Sequence, residues 1–307
     1  MVKNSKLVSL FEALRPAQWV KNFSLFAAAI LNGQLTNPVI FVQSCLAFIS
    51  FCLLSSSSYL VNDLRDIDND RKHPFKKFRP IAHGDISAAT AIITTVLLFF
   101  FGLCLALTVN YSFFLISVIF IFLQYSYSFI FKKKAVLDII GISLFFIMRA
   151  YAGEIATGYH LPVWIMLTVI FLSLFIASGK RRSELFTAGK ASRSALRGYG
   201  KALLNFYTTM FGVCTLVSYS MFTFFQQNVK FQGIINQFLL SDFPAALDRK
   251  WYMVTIIPVI YGIMRYGQVI FEMQAGERPE RVMATDIPLI ISVLTWGLMI
   301  ITIIYVL

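Results

Sequence analysis

The sequence predicts an all-α polytopic membrane protein with nine transmembrane helices in one domain spanning residues 1–307. Three observations carry this. Of the 307 residues, 58% are hydrophobic and only 14% charged, against about 25% charged in an ordinary soluble domain. Apolar runs recur at close to the roughly 20 residues a helix needs to cross a bilayer. Lysine and arginine gather in alternate connecting segments, the signature of membrane topology.

Taken in order, the first run, 18–34, is the weakest, because Lys21 and Asn22 interrupt it. The runs 39–61, 88–108, 111–131 and 137–157 follow, then 162–179, 204–226, 251–271 and 286–306. Each is expected to be a helix, since backbone groups in lipid must be satisfied internally; barrel strands would alternate in polarity, and these runs do not. The N-terminus, Met1 to Arg15, is basic, and no small-residue cleavage pattern follows the first run, which therefore reads as a retained span rather than a signal peptide. The outer segment 227–250 contains Phe231, Ile234, Ile235, Phe238 and Leu239, the pattern of an amphipathic surface helix.

Of the 27 lysines and arginines, 23 fall on the side of the N-terminus and the charged loops, three (Lys230, Arg249, Lys250) fall on the other, and Arg149 lies within a span. This asymmetry predicts an inner (plasma) membrane protein with its N-terminus and charged loops in the cytoplasm and its C-terminus outside. The net charge of +12 is spread over short juxtamembrane loops, which suits lipid head groups and argues against nucleic acid as a partner. Cys45, Cys52, Cys104 and Cys214 all lie in apolar runs, with no CxxC spacing, and read as small buried hydrophobes.

One polar feature differs from ordinary interfacial anchors. Asn62, Asp63, Asp66, Asp68 and Asp70 place four carboxylates and an amide within nine residues at the end of the second run. On a helix Asn62, Asp66 and Asp70 stand at i, i+4 and i+8, and Asp63 lies seven residues before Asp70. These four share a face, while Asp68 points roughly opposite. Like charges stacked on one face are costly unless a cation neutralises them, and magnesium takes one or two carboxylates plus substrate phosphates. Arg71, Lys72, Lys76, Lys77 and Arg79 follow at once, as a metal–phosphate site requires. An EF-hand lacks support, because the stretch has no central Gly and no closing Glu. No HExxH, Walker-type loop or GxSxG occurs, so zinc hydrolysis, P-loop nucleotide binding and serine-hydrolase chemistry are unsupported.

The spacing Asn62-Asp63-x-x-Asp66-x-x-x-Asp70, at the end of the second of nine spans, resembles the first aspartate-rich motif of the UbiA superfamily of intramembrane prenyltransferases. That resemblance implies nine helices around a central cavity and a Mg2+-dependent diphosphate site at the cytoplasmic face. The chain is more closely similar to the branch of polyprenyl-phosphate (decaprenyl-phosphate) phosphoribosyltransferases, which make decaprenylphosphoryl-5-phosphoribose for arabinan synthesis. The likeness runs through Arg15-Pro16-Ala17-Gln18-Trp19-Val20-Lys21-Asn22, then Asp70-Arg71-x-His73-Pro74-x-Lys76-x-x-Arg79-Pro80. It continues in Tyr127-Ser128-Phe129 with Lys132 and Asp138, Arg149-Ala150-x-Ala152-Gly153, Gly179-Lys180-Arg181-x-x-Glu184 and Arg265-Tyr266.

Typical members of the superfamily carry a second aspartate-rich motif after the sixth span. Here that stretch reads Ser178-Gly179-Lys180-Arg181-Arg182-Ser183-Glu184 and continues without an aspartate to residue 203. One acidic cluster facing a basic one suits a sugar diphosphate on the metal and a lipid monophosphate held by cations. The resemblance thus implies transfer of 5-phosphoribose from 5-phosphoribosyl 1-diphosphate to a polyprenyl phosphate, with Asn62, Asp63, Asp66 and Asp70 as metal ligands. Lys21, Arg71, Lys76, Arg79, Lys132, Lys180 and Arg181 are the candidates for the three phosphate groups, and Lys133 and Lys134 read as anchors.

Arg149 is a further phosphate candidate. A charge within a span costs at least about 2.5 kcal/mol and turns to a polar interior; the bland alternative is a salt bridge to Glu154. Gln18, Tyr127, Asp138, Glu184 and His73 complete the candidate site, and the branch implies a homo-oligomer, a trimer. Two rivals remain. An aromatic prenyltransferase acting on 4-hydroxybenzoate would call for aspartates where Lys180-Arg181 stands. A cation-coupled transporter would place its carboxylates near the midplane.

Overall fold

The computed structural model describes residues 5–72, 76–188, 194–227, 241–273, 276 and 279–307. Among them there are helices and no strands. Eight helices are long and apolar enough to cross a membrane: Pro38–Arg65, Ala88–Val109, Tyr111–Lys133, Leu137–Thr157, Val163–Thr187, Lys201–Phe225, Trp251–Phe271 and Ile287–Tyr305. They coincide with eight of the nine expected runs. The apolar residues expected on a surface helix in 227–250, Phe231, Ile234, Ile235, Phe238 and Leu239, lie outside the described residues.

The remaining run, 18–34, is built differently. Helix α1 (Lys6–Leu14) ends at Arg15, which takes a left-handed conformation (φ 57°, ψ 59°), and Pro16–Phe26 then forms a long 3-10 helix before α2 (Ala27–Leu31). Asn22, one of the two residues that interrupt the run, ties it to the bundle, donating to Cys52 Sγ at 3.2 Å. The Trp19 indole donates to Ser56 Oγ at 3.0 Å, and Asn22 is fully buried.

The helices start and meet for local reasons. α3 (Pro38–Arg65) begins with Asn37 accepting from Val39 N at 3.1 Å and a proline at its first position. α6 (Ala88–Val109) is capped by Ser87 and α7 (Tyr111–Phe129) by Asn110. Between α3 and α6 lie α4 (Ile67–Lys72) and α5 (Pro80–His83).

Lipid supplies no hydrophobic drive between helices, so small residues and hydroxyls set the contacts. Ser50 Oγ donates to Gly102 O at 2.8 Å, and a Cβ on Gly102 would stand 2.8 Å from the Leu54 side chain, so α3 and α6 pack with almost nothing between them. α8 (Leu137–Thr157) and α9 (Val163–Ala188) meet at Ser143 and Ser173, 2.5 Å apart. α9 and α10 (Lys201–Phe225) meet where Thr168 donates to Ser218 Oγ at 3.2 Å. The chain ends in α11 (Ile256–Phe271), α12 (Pro279–Thr285) and α13 (Ile287–Tyr305). Near the end of α13 the Tyr305 hydroxyl donates to Ile30 O at 3.1 Å and accepts from Leu35 N at 3.1 Å, so the last span packs back against the first segment.

Candidate functional site

The acidic cluster terminates α3. Asn62 and Asp63 belong to its last turn, Asp66 follows it, and α4 resumes at once; Asp66 N donates to Asn62 O at 3.0 Å and Asp70 N to Asp66 O at 2.8 Å. Helical bonding therefore continues through the motif, and the expected facing follows. The side chains of Asp63 and Asp70 are 4% and 5% exposed, Asp66 is 33% exposed, and Asp68 turns outward at 90%.

Two buried carboxylates side by side are untenable without cations, and two arginines supply them. Arg79 reaches in from the start of α5, its Nη1 standing 3.0 Å from Asp63 Oδ1 and 2.7 Å from Asp70 Oδ2. Arg15, at the left-handed break after α1, places Nη2 2.5 Å from the same Asp63 oxygen and stacks 5.1 Å over the Tyr59 ring. Beside them, Lys132 Nζ is 3.7 Å from Asp66 Oδ2. Asn62 is half-buried.

Among the described residues no three His, Cys, Asp or Glu side chains converge into a ready metal cage. The donors nevertheless suit a hard divalent cation, being carboxylate oxygens with an amide nearby. One guanidinium nitrogen already bridges Asp63 and Asp70, so both carboxylates aim at a single cationic point. The residues present fit magnesium at that point.

A second polar group lies between α7, α8 and α9. The sequence suggested that the sixth span ends at 179 and that Lys180–Glu184 lies in a loop. The helix instead runs to Ala188, because Arg181, Arg182 and Ser183 are buried by tertiary contacts. Arg181 is fully enclosed: its Nε stands 2.6 Å from Asp138 Oδ2, its Nη1 donates to Glu184, and its Nη2 donates to the Tyr127 hydroxyl at 3.1 Å.

Tyr199 closes the group, donating to Asp138 Oδ1 at 2.6 Å and accepting from Val136 N at 2.6 Å. The latter bond holds Val136 at φ 67°, a conformation a β-branched residue rarely takes. Burial, followed by the Asp138 carboxylate, pushes the Tyr199 phenol well above its ordinary range, so it stays a donor.

Arg149 lies inside the bundle at 3% exposure. It does not pair with Glu154, which accepts from Leu161 N at 2.5 Å instead. Its Nε donates to Asn22 Oδ1 at 2.6 Å, its Nη1 to Phe145 O at 2.7 Å and its Nη2 to Ser55 Oγ at 3.5 Å, and its guanidinium lies 4.9 Å over the Phe120 ring. Directly before Asn22 in the 3-10 helix, Lys21 Nζ donates to Gln18 Oε1, three residues earlier, at 2.5 Å.

The structure thus gathers Asp63, Asp70 and Arg79, pairs Asp66 with Lys132 and Gln18 with Lys21, and joins Tyr127, Asp138, Arg181 and Glu184. Arg71 turns aside, donating to Ala82 O at 3.3 Å and lying 3.8 Å from Asp68. Lys76 is exposed and Lys180 half-buried. His73 lies outside the described residues. Sequence reasoning missed Arg15, Asn22 and Tyr199 as partners of these groups. The one local signal at Arg15 is its place directly before Pro16, which constrains its backbone. An apolar cleft of about 480 Å³ between α11 and α13, lined by Ile257, Pro258, Tyr261 and Ile291 among others, touches none of the candidate residues.

The chain is similar to known proteins over nearly its whole length. Residues 22–287 match the UbiA prenyltransferase family. The chain is 36% identical, over 94% of its length and 89% of the relative's, to decaprenyl-phosphate phosphoribosyltransferase of Mycolicibacterium smegmatis. It is 32% identical to the protein of the same name from Corynebacterium glutamicum, over 97% of this chain and 87% of that one. In fold it resembles a UbiA homologue from Archaeoglobus fulgidus bound to GPP and Mg2+, with a TM-score of 0.66 at 20% identity over 96% of this chain and 99% of that one. The buried aspartates at the end of α3, the helical bundle around them and a match spanning most of the chain lead to one conclusion: this is a multi-pass membrane transferase that belongs to the UbiA prenyltransferase family.

Proposed function

We propose that the chain transfers 5-phosphoribose from 5-phosphoribosyl 1-diphosphate to a polyprenyl phosphate, using magnesium held by Asp63, Asp66 and Asp70 with Asn62. The observation that carries this reading is the chemistry of α9's cytoplasmic end. Where a second acidic motif would hold a prenyl diphosphate through a second metal, this chain has Lys180 and a buried Arg181 already committed to Asp138 and Glu184. The similarity over nearly full length to proteins named decaprenyl-phosphate phosphoribosyltransferase supports it.

The acceptor oxygen of a phosphate is ionised at neutral pH, so the reaction needs no strong general base from the protein. That oxygen attacks the anomeric carbon, forming a C–O bond as the bond to diphosphate breaks and the diphosphate leaves with the electron pair. Asn62, Asp63, Asp66 and Asp70 would hold the magnesium, which would supply positive charge to stabilise that leaving group. The protein's own part is positioning and charge. Arg79, Lys132, Lys21, Arg71, Lys76 and Lys180 offer cations to the phosphates. Asp138, Arg181, Glu184, Tyr127 and Tyr199 fix α9 against α7 and α8. The site opens to the cytoplasmic face of the inner membrane, where the charged loops lie.

Purified protein with magnesium, labelled phosphoribosyl diphosphate and a polyprenyl phosphate should yield a lipid-linked phosphoribose, and chelation should abolish it. No such product at any chain length, alongside transfer of a prenyl diphosphate to 4-hydroxybenzoate, would overturn the assignment.

A further inference from the structure

Asp63 and Asp70 are buried, and the two arginines that neutralise them are not. Arg15 and Arg79 keep 28% and 30% of their side chains exposed, so they sit over the carboxylates on the side from which ligands arrive. Arg79 Nη1 already occupies a point shared by Asp63 and Asp70, 3.0 and 2.7 Å from their oxygens, where a divalent cation would compete with it. Arg15 is held in place by unusual means. Its backbone is left-handed, a strained state for a non-glycine residue that persists only when its surroundings impose it. The preceding carbonyl, Leu14 O, accepts from Ser56 Oγ at 2.8 Å, and Tyr59 stacks beneath the guanidinium. These contacts aim a long, forked cation at one buried oxygen.

We infer that Arg15 is a second anion-binding arginine of this site, and that Arg15 and Arg79 are exchangeable counter-ions. In the ligand-free protein they neutralise Asp63 and Asp70. When a metal–diphosphate enters, its two positive charges take over the carboxylates, and the freed guanidiniums turn to the diphosphate oxygens, for which their fork is suited. The charge at the buried carboxylates is balanced before and after, so neither state leaves a bare buried anion. Metal alone must displace both arginines with nothing to receive them, and it binds poorly. Metal with diphosphate binds well. This rests on the metal–diphosphate reading above but not on the identity of the group transferred.

The test uses full-length protein in detergent, with Mn2+ followed by electron paramagnetic resonance and inorganic diphosphate as the anion, so that it stands apart from any transfer assay. Arg15→Gln and Arg79→Gln should each tighten Mn2+ binding in the absence of diphosphate by about tenfold, the scale of one charge-assisted hydrogen bond. They should weaken binding of diphosphate in the presence of Mn2+ by a similar factor. Opposite signs are the diagnosis, because arginines that merely support the fold would, when lost, weaken both. Should a glutamine variant not fold, the lysine variant at that position keeps the charge without the fork and should show the same opposed shifts at smaller size. Shifts of one sign, or none in either measurement, would overturn the exchange. Opposed shifts with no phosphoribosyl transfer would leave it standing and sink only the assigned reaction.

Discussion

The energetics of single residues are sharpest at Arg181. It is fully enclosed and faces two carboxylates, Asp138 and Glu184, so its removal strands buried negative charge. Arg181→Met should destabilise the protein by about 3–5 kcal/mol, seen as a large drop in melting temperature in detergent, whereas Arg181→Lys should recover part of it. If Arg181 serves substrate rather than scaffold, Arg181→Met will melt near the wild type and lose only activity. Tyr199→Phe removes the hydrogen bond to the Asp138 carboxylate and the acceptor of Val136 N and should cost at least about 1.5–3 kcal/mol.

The pH dependence at Tyr199 has a definite sign. Its folded phenol titrates above the unfolded value of about 10, so its contribution is complete below that pH and is lost as pH rises beyond it. Tyr199→Phe should therefore lose less stability than wild type between neutral pH and pH 11. At this scale the sequence was legible where residue type and spacing suffice. Asp63, Asp70 and Arg79 do converge, because helical periodicity and a short return through α5 bring them together. Arg15, Asn22 and Tyr199 escaped because they approach from 48, 127 and 61 residues away, and spacing along the chain carries no trace of such contacts.

Among the elements, the spans followed from hydropathy alone, since length and polarity decide insertion. Two departures share a cause. Hydropathy could not tell that 16–26 is a 3-10 helix, nor that α9 runs past 179, because buried polar pairs hold both. The 3-10 helix is pinned to α8 at two levels: Arg149 donates to Asn22, and Gly153 lies against the backbone of Leu25, where an added Cβ would come within 2.4 Å of the carbonyl oxygen. A backbone cannot give way as a side chain can. Gly153→Ala should therefore push the 3-10 helix off α8, costing about 1–3 kcal/mol and displacing Gln18 and Lys21 with it. Gly212→Ala is the control, since its Cβ would meet the Phe175 ring at an easier 3.3 Å. Thermal melts of the two variants should separate clearly, and equal melting would show that the 3-10 helix is not held by this contact.

Across the whole molecule, the acidic cluster and the Arg181 group collect at one end of the bundle. The ends of α3 and α9, the 3-10 turn Phe131–Lys133 after α7, and the starts of α5 and α8 supply Asp63, Arg181, Lys132, Arg79 and Asp138. The opposite end is marked by Tyr305, whose hydroxyl meets Ile30 O and Leu35 N. The segment between α2 and α3 and the end of α13 therefore share a face, away from the acidic cluster and from α1. We propose that Ser5 and Leu307 lie on opposite sides of the membrane, with the site on the cytoplasmic side, as the lysine and arginine bias predicts. A single cysteine introduced by Leu307→Cys, in a background with the four native cysteines replaced by serine, should react with a membrane-impermeant maleimide in intact cells. Ser5→Cys in the same background should react only after the membrane is opened. Labelling of both in intact cells would break the odd number of crossings, and reversed labelling would put the aspartates outside, where no cytoplasmic phosphoribosyl donor could reach them.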